Sequence, residues 1–292
     1  MDPIISGRYK LGRKIGEGSF GEVYTGIDLE RQEKIAIKLS KLGKESNLAK
    51  EASFYELMDS KTHRQLRDYG IPNLHWAGKA HEYYFVILDR LGPSYSDLLE
   101  ECSLTGLPIN KVMHLATEGI TILERLHNWG ILHRDMKPNN FLTSRNSGFY
   151  KDSRHNNRNK VFLIDFGLAK KYLDENRKHH LLSDGHKLVG TARYVSCNTH
   201  LGLEQSRRDD LESFGYVLVY LATGHLPWMG LKESCKSRRY ERIGEIKMSI
   251  PMSRMCRGLP KCFLYYLNYC KQLDFSEKPD YEYLRNLFRR PL

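Results

Sequence analysis

The chain has 292 residues, 40% of them hydrophobic and 28% charged, which excludes a disordered or fibrous protein and leaves room for a core that fits two lobes better than one small domain. No apolar run approaches the roughly 20 residues that cross a bilayer, and the start Met1-Asp2-Pro3-Ile4-Ile5 lacks the basic and apolar regions of a signal peptide, so membrane insertion is not expected. The net charge of +11 points to anionic partners, whether a protein, a nucleic acid or a membrane surface.

Residues 9–40 read as strands. The first carries Ile15-Gly16-Glu17-Gly18-Ser19-Phe20-Gly21-Glu22-Val23, a G-x-G-x-x-G-x-V pattern. The same glycine spacing marks a dinucleotide-binding turn, but such a turn opens an apolar helix. Here Glu22 to Ile27 reads as a strand, which puts the glycines on a hairpin where backbone N–H groups can approach phosphates. Lys38 ends the apolar strand Lys34 to Leu39 and needs an anionic partner or an exit to water. Leu48, Ala52 and Tyr55 mark one face of a helix over Ser46 to Met58. Glu51 falls on that face and is the expected partner of Lys38; Glu56 is the competitor, further off the face.

His81 to Asp89 is a strand stopped by Gly92-Pro93, and Tyr95 to Glu101 reads as a short helix. This is the expected lobe boundary, with residues 89–92 as a hinge between a first lobe (1–90) and a second (93–292). Lys111 to Asn128 is an amphipathic helix with Val112, Leu115, Ala116, Gly119, Ile120, Leu123 and Leu126 on one stripe. It leads to His133-Arg134-Asp135-Met136-Lys137-Pro138-Asn139-Asn140, flanked on both sides by apolar pairs. Pro138 fixes its own φ and restricts Lys137, so the loop is a rigid platform. It offers a carboxylate able to accept a hydroxyl proton, an ammonium for a migrating anion and a carboxamide for a hard cation. Residues 144–160 are polar, basic and nearly free of apolar side chains, and read as an exposed, mobile insertion. Val161 to Ile164 then forms a strand that ends at Asp165-Phe166-Gly167.

In order, G-x-G-x-x-G-x-V, A-x-K, H-R-D-x-x-x-x-N and D-F-G resemble the eukaryotic protein kinases. The resemblance implies an α+β, bilobal protein kinase fold with a small β-rich N-lobe and a larger, mainly helical C-lobe. It implies ATP as phosphoryl donor, with Mg²⁺ (or Mn²⁺) on Asn140 and Asp165. Asp135, Lys137 and Asn140 would be catalytic. Ile15, Gly16, Gly18, Ser19, Gly21, Val23, Ala36, Lys38, Glu51, Leu88, Leu91, Leu142 and Ile164 would surround the nucleotide.

The usual A-P-E is missing. The chain instead has Gly190-Thr191-Ala192-Arg193-Tyr194-Val195-Ser196-Cys197-Asn198, then Gln205-Ser206-Arg207-Arg208-Asp209-Asp210-Leu211-Glu212-Ser213 and Lys278-Pro279-Asp280-Tyr281. With Leu91-Gly92-Pro93-Ser94, these segments closely resemble the casein kinase I family of serine/threonine kinases, over essentially the whole chain. That resemblance implies acidic or pre-phosphorylated protein substrates, read by an anion pocket at Arg193, Gly230 and Arg239. A second cluster would comprise Arg134, Lys170, Lys171 and Lys187; the usual activation-segment lysine of the family aligns with His186. Asp210 would hold the catalytic-loop backbone, or serve as an N-terminal helix acid, or both. The remaining alternatives are a pseudokinase, a small-molecule kinase and a nucleic-acid-binding module. All the catalytic residues are present and no nucleic-acid motif is found, so no nucleic-acid partner is expected. A monomer in the cytoplasm and/or nucleus is the expected setting; the six cysteines, with no C-x-x-C pair, suit reduced thiols.

Overall fold

The computed structural model describes residues 4–18, 21–62, 64–144 and 160–289. Most of the 144–160 insertion, and Ser19 of the glycine hairpin, lie outside the described residues. The chain divides into two compact units: 1–93 with 142–168, and 94–141 with 169–292.

The first unit is built on one antiparallel sheet. Its strands are β1 (Ile4–Ile5), β2 (Tyr9–Gly18), β3 (Gly21–Asp28), β4 (Glu33–Lys41), β5 (Leu74–Ala80) and β6 (Tyr83–Asp89), in the order β1-β2-β3-β4-β6-β5. Alternation sorts the side chains of β4 between the two faces. Ile35, Ile37 and Leu39 join Ile5, Tyr9, Phe85 and Ile87 in a core on one face. Ala36 and Lys38 therefore occupy the other. Their cross-strand partners share that face: Ala36 pairs with Leu88, and Lys38 with Val23 on one side and Val86 on the other. Helix α1 (Ser46–Ser60) follows β4 and buries Leu48, Glu51, Ala52, Phe54, Tyr55 and Met58.

The division differs from a single cut at the hinge, because residues 142–168 belong with the first unit. The reason is hydrogen bonding. The Gly92 amide donates to the Thr143 carbonyl at 2.9 Å, and the Thr143 amide donates to the Pro93 carbonyl at 3.0 Å. The Leu163 amide also donates to the Gly70 carbonyl, and Lys38 reaches Asp165.

The second unit is mainly helical. Helix α2 (Tyr95–Glu101) starts with a capping box between Ser94 and Asp97, as the Ser-x-x-acid spacing dictates. Helix α3 (Ile109–Asn128) buries the whole stripe expected from its periodicity. There follow α4 (Cys197–His200), α5 (Arg207–Thr223), α6 (Lys236–Ser249), α7 (Met252–Met255), α8 (Lys261–Gln272) and α9 (Tyr281–Arg289). Helix α5 is buried on every side from Asp209 to Leu221 and is the axis of this unit. Gly119 of α3 packs on it so closely that a Cβ would lie 2.3 Å from the Phe214 ring. No helix among the described residues is long and apolar enough to cross a membrane.

Candidate active site

In the first unit the glycines lie on a hairpin, as expected, and its register sets Gly16 opposite Val23 and Gly18 opposite Gly21. The three glycines have different reasons. Gly21 has φ +142°, and a Cβ there would sit 2.2 Å from the Leu39 carbonyl oxygen, so the sheet itself demands glycine. A Cβ on Gly16 or Gly18 would meet nothing closer than 3.9 Å. Among the described residues packing does not explain those two.

Lys38 points from its strand to two carboxylates, Glu51 at 2.6 Å and Asp165 at 2.9 Å. Glu51, not Glu56, is the partner: it is 1% exposed, while Glu56 faces solvent. Burial opposes the charge on Lys38, but Glu51 and Asp165 outweigh it and hold the ammonium above its usual range. Phe166, the middle residue of D-F-G, packs edge-on against Tyr55 of α1 at 5.2 Å, which fixes the strand end that carries Asp165. Ile15, Val23, Ala36, Leu142 and Ile164 are each half-buried, unlike the closed core across the sheet. Leu88 and Leu91 are buried. Among the described residues the Leu91 amide and carbonyl find no hydrogen-bond partner.

In the second unit, Asp135 is 4% exposed and both of its carboxylate oxygens are engaged. Thr191 donates to Oδ1 at 2.7 Å and Lys137 donates to Oδ2 at 2.5 Å. Asn140 donates its Nδ2 to the Asp135 carbonyl at 2.8 Å, which leaves its Oδ1 as the oxygen donor of the side chain. The loop hangs from Asp210. Its carboxylate accepts from the His133 amide at 2.9 Å, the Arg134 amide at 2.8 Å and His127 Nε2 at 3.0 Å. Burial works against ionisation there, but the bonds from His127 and His133 bring the pKa below the usual carboxylate range. Asp210 also stands in the first turn of α5, so both roles expected of it are filled. Gly190 passes so near the loop that a Cβ would lie 2.5 Å from the Arg134 carbonyl oxygen.

The segment that replaces A-P-E is held by two acids of α5. Ser196 caps α4 and donates to Asp209 at 2.6 Å. The Cys197 amide donates to Glu212 at 2.9 Å. Burial pushes the Asp209 carboxyl up to about 6.

Of the two basic clusters, the structure gathers the second into one cavity of about 130 Å³, lined by Arg134, Lys170, His186, Lys187 and Glu204 among others. Lys171 is exposed and does not line it. Glu204 pairs with Lys170 at 2.7 Å and lies 3.5 Å from His186, and Arg134 is drawn by both Glu204 and Asp210. Arg193, Gly230 and Arg239 are all exposed. Arg193 lies over the rings of Tyr194 and Tyr220, at 5.9 and 5.7 Å.

Sequence reasoning missed Thr191, Glu204 and His127. Thr191 stood inside a run read only as a family marker, Glu204 fell just before the next such run, and their contacts join positions 56 and 34 residues apart. His127 lies in the last turn of the helix that leads to the loop, where a polar residue after an apolar stripe was the available signal.

The family model described as the protein kinase domain matches residues 9–276. The chain belongs to the protein kinase family; its β-rich N-terminal region and mainly helical C-terminal part fit that family's bilobal fold.

Proposed function

We propose that this chain is a serine/threonine kinase of the casein kinase I type, which transfers the γ-phosphoryl group of ATP to acidic or phosphate-primed proteins. The observation that carries the substrate class is the cavity at Arg134, Lys170 and Lys187. A recess lined by three fixed cations and one carboxylate suits a phosphate or a carboxylate. The placement of Ser196-Cys197-Asn198 on Asp209 and Glu212, where other kinases carry A-P-E, supports the subfamily.

The residues fit ATP and Mg²⁺. Gly16 and Gly18 keep the hairpin clear for phosphates, and Lys38 is a charged donor held in place for them. Asp165 and the Asn140 carboxamide each offer the hard oxygen that Mg²⁺ takes from a protein, the rest of its shell being phosphate and water. When bound, the cation neutralises charge on the phosphates. Asp135 orients the substrate hydroxyl and takes its proton as the oxygen attacks the γ-phosphorus and ADP leaves. Lys137 is placed to stabilise the migrating group. Catalysis by this set is positioning and electrostatics. The enzyme would act as a monomer in the cytoplasm and/or nucleus.

The test compares a peptide phosphorylated upstream of its target serine with its unphosphorylated acidic twin. The primed peptide is expected to have the higher kcat/KM, with a preference that falls as salt rises. Lys187→Glu, and Arg193→Glu with Arg239→Glu, each remove part of that preference and spare the acidic twin better. Equal loss on both peptides would contradict the pocket.

A further inference from the structure

Lys247 of α6 is the most deeply buried cation in the second unit. Its side chain is 0% exposed. Removing an ammonium from water is costly, and methionine would fill the same volume without that cost. Burial lowers its pKa to about 7, against the pull of Glu212 and the Cys197 thiol. Yet no carboxylate lies within ion-pair distance among the described residues. The ammonium is caged by neutral groups instead. It donates to the Ala192 carbonyl at 2.9 Å and the Val195 carbonyl at 2.6 Å, and lies 3.2 Å from His200 Nε2. An ammonium has three N–H donors, and here there are three acceptors. The rings of Tyr216 and Trp228 add two π faces, 5.1 and 5.0 Å away.

What the cage grips decides what it does. Ala192 follows Thr191, whose hydroxyl holds Asp135 Oδ1 at 2.7 Å. Val195 precedes Ser196, which α5 holds through Asp209. The indole of Trp228 also donates to the Arg193 carbonyl at 2.8 Å, inside the same stretch. Residues 192–195 are thus clamped at both ends by one charge, and the clamp continues directly into the residue that orients the proposed base.

We propose that Lys247 is a positioning residue for phosphoryl transfer: its caged ammonium fixes the Ala192–Val195 backbone and, through it, the Thr191–Asp135 hydrogen bond. The inference rests on the transferase reading above. It separates Lys247 from an ordinary core residue, because its loss is felt in turnover through Thr191 and not only in stability.

The experiment is a double-mutant cycle on the full chain, with Lys247→Met, Thr191→Val and the pair, measured as kcat and as KM for ATP on an acidic peptide. Lys247→Met is expected to lower kcat by roughly 10- to 100-fold, with the KM for ATP unchanged. In the Thr191→Val background the same substitution adds less than 3-fold, because the contact it supports is already gone. Lys247→Arg, which keeps a charge and donors for both carbonyls, recovers part of the loss. If Lys247→Met does not fold, Lys247→Gln, a shorter neutral donor, takes its place in the cycle. Fully multiplicative losses, or a kcat within 2-fold of wild type in a folded variant, would overturn the proposal while leaving the transferase reading standing. A wild-type enzyme that transfers no phosphate would overturn both.

Discussion

The Thr191 hydroxyl stands 2.7 Å from Asp135 Oδ1, while Lys137 holds the other oxygen, Oδ2, at 2.5 Å. The carboxylate is therefore oriented from two directions before any substrate arrives. A hydrogen bond to a charged group is worth about 1.5–3 kcal/mol, and each 1.36 kcal/mol is tenfold in rate. Thr191→Val should lower kcat by roughly 10- to 100-fold and leave nucleotide affinity alone. Steady-state kinetics on one acidic peptide check this; an unchanged kcat would show that Asp135 is held without the hydroxyl.

Lys38→Met removes the cation that Glu51 and Asp165 share. Glu51 is 1% exposed, and stranding a buried charge costs about 3–5 kcal/mol. Thermal melting should fall, and ATP affinity should fall with it. Lys38→Met combined with Glu51→Met should melt higher than Lys38→Met alone, because no carboxylate is then stranded on α1. A double variant that melts lower still would mean Glu51 is held by something other than the lysine.

Asp210→Asn keeps the size of the side chain but loses an acceptor for three donors. One of the His133 amide, the Arg134 amide or His127 Nε2 is left unpaired inside the unit, at about 1–3 kcal/mol. The expected results are a melting point lower by about 2–4 °C per kcal/mol and a fall in kcat. A variant with wild-type melting and turnover would remove Asp210 from the support of the loop.

His200 gives a pH signature. Burial and the nearby Lys247 charge push its pKa down to about 4. The unfolded chain takes up that proton near pH 6.5, so the stability that neutral His200 contributes is intact above pH 6.5 and is lost as pH falls towards 4. His200→Gln should flatten the stability profile between those limits. Urea unfolding of both proteins at a series of pH values measures it, and identical slopes would contradict the assignment. Asp209, raised to about 6, runs the other way, and its contribution is lost as pH rises towards 6. It is common to both proteins and cancels in the difference.

The parts of the fold that follow from periodicity were legible in the sequence. The α3 stripe, the apolar strand that carries Lys38 and the position of Glu51 on the buried face of α1 came from residues a few positions apart. So did the motifs, because the catalytic loop keeps its carboxylate, ammonium and carboxamide within six residues. What the sequence hid was contact between distant segments. The division of the chain at residues 142–168 depends on bonds from Gly92 to Thr143, and Lys247 reaches carbonyls 55 and 52 positions away. Lys247 sits in a strongly basic helix (Lys236-Ser237-Arg238-Arg239 begins it), so nothing in composition distinguishes it from its exposed neighbours. Glu204 was hidden in the same way, one acid among many until folding placed it against Lys170.

The most direct test of the account is transfer of labelled γ-phosphate from ATP to an acidic serine peptide, by the wild-type chain and by Asp135→Asn, with nucleotide affinity measured on both. The account predicts that the wild-type chain labels serine, and that Asp135→Asn transfers nothing detectable while binding ATP nearly as well. Near-normal transfer by Asp135→Asn would contradict the role of Asp135, and a wild-type chain that binds ATP without labelling the peptide would contradict the enzyme.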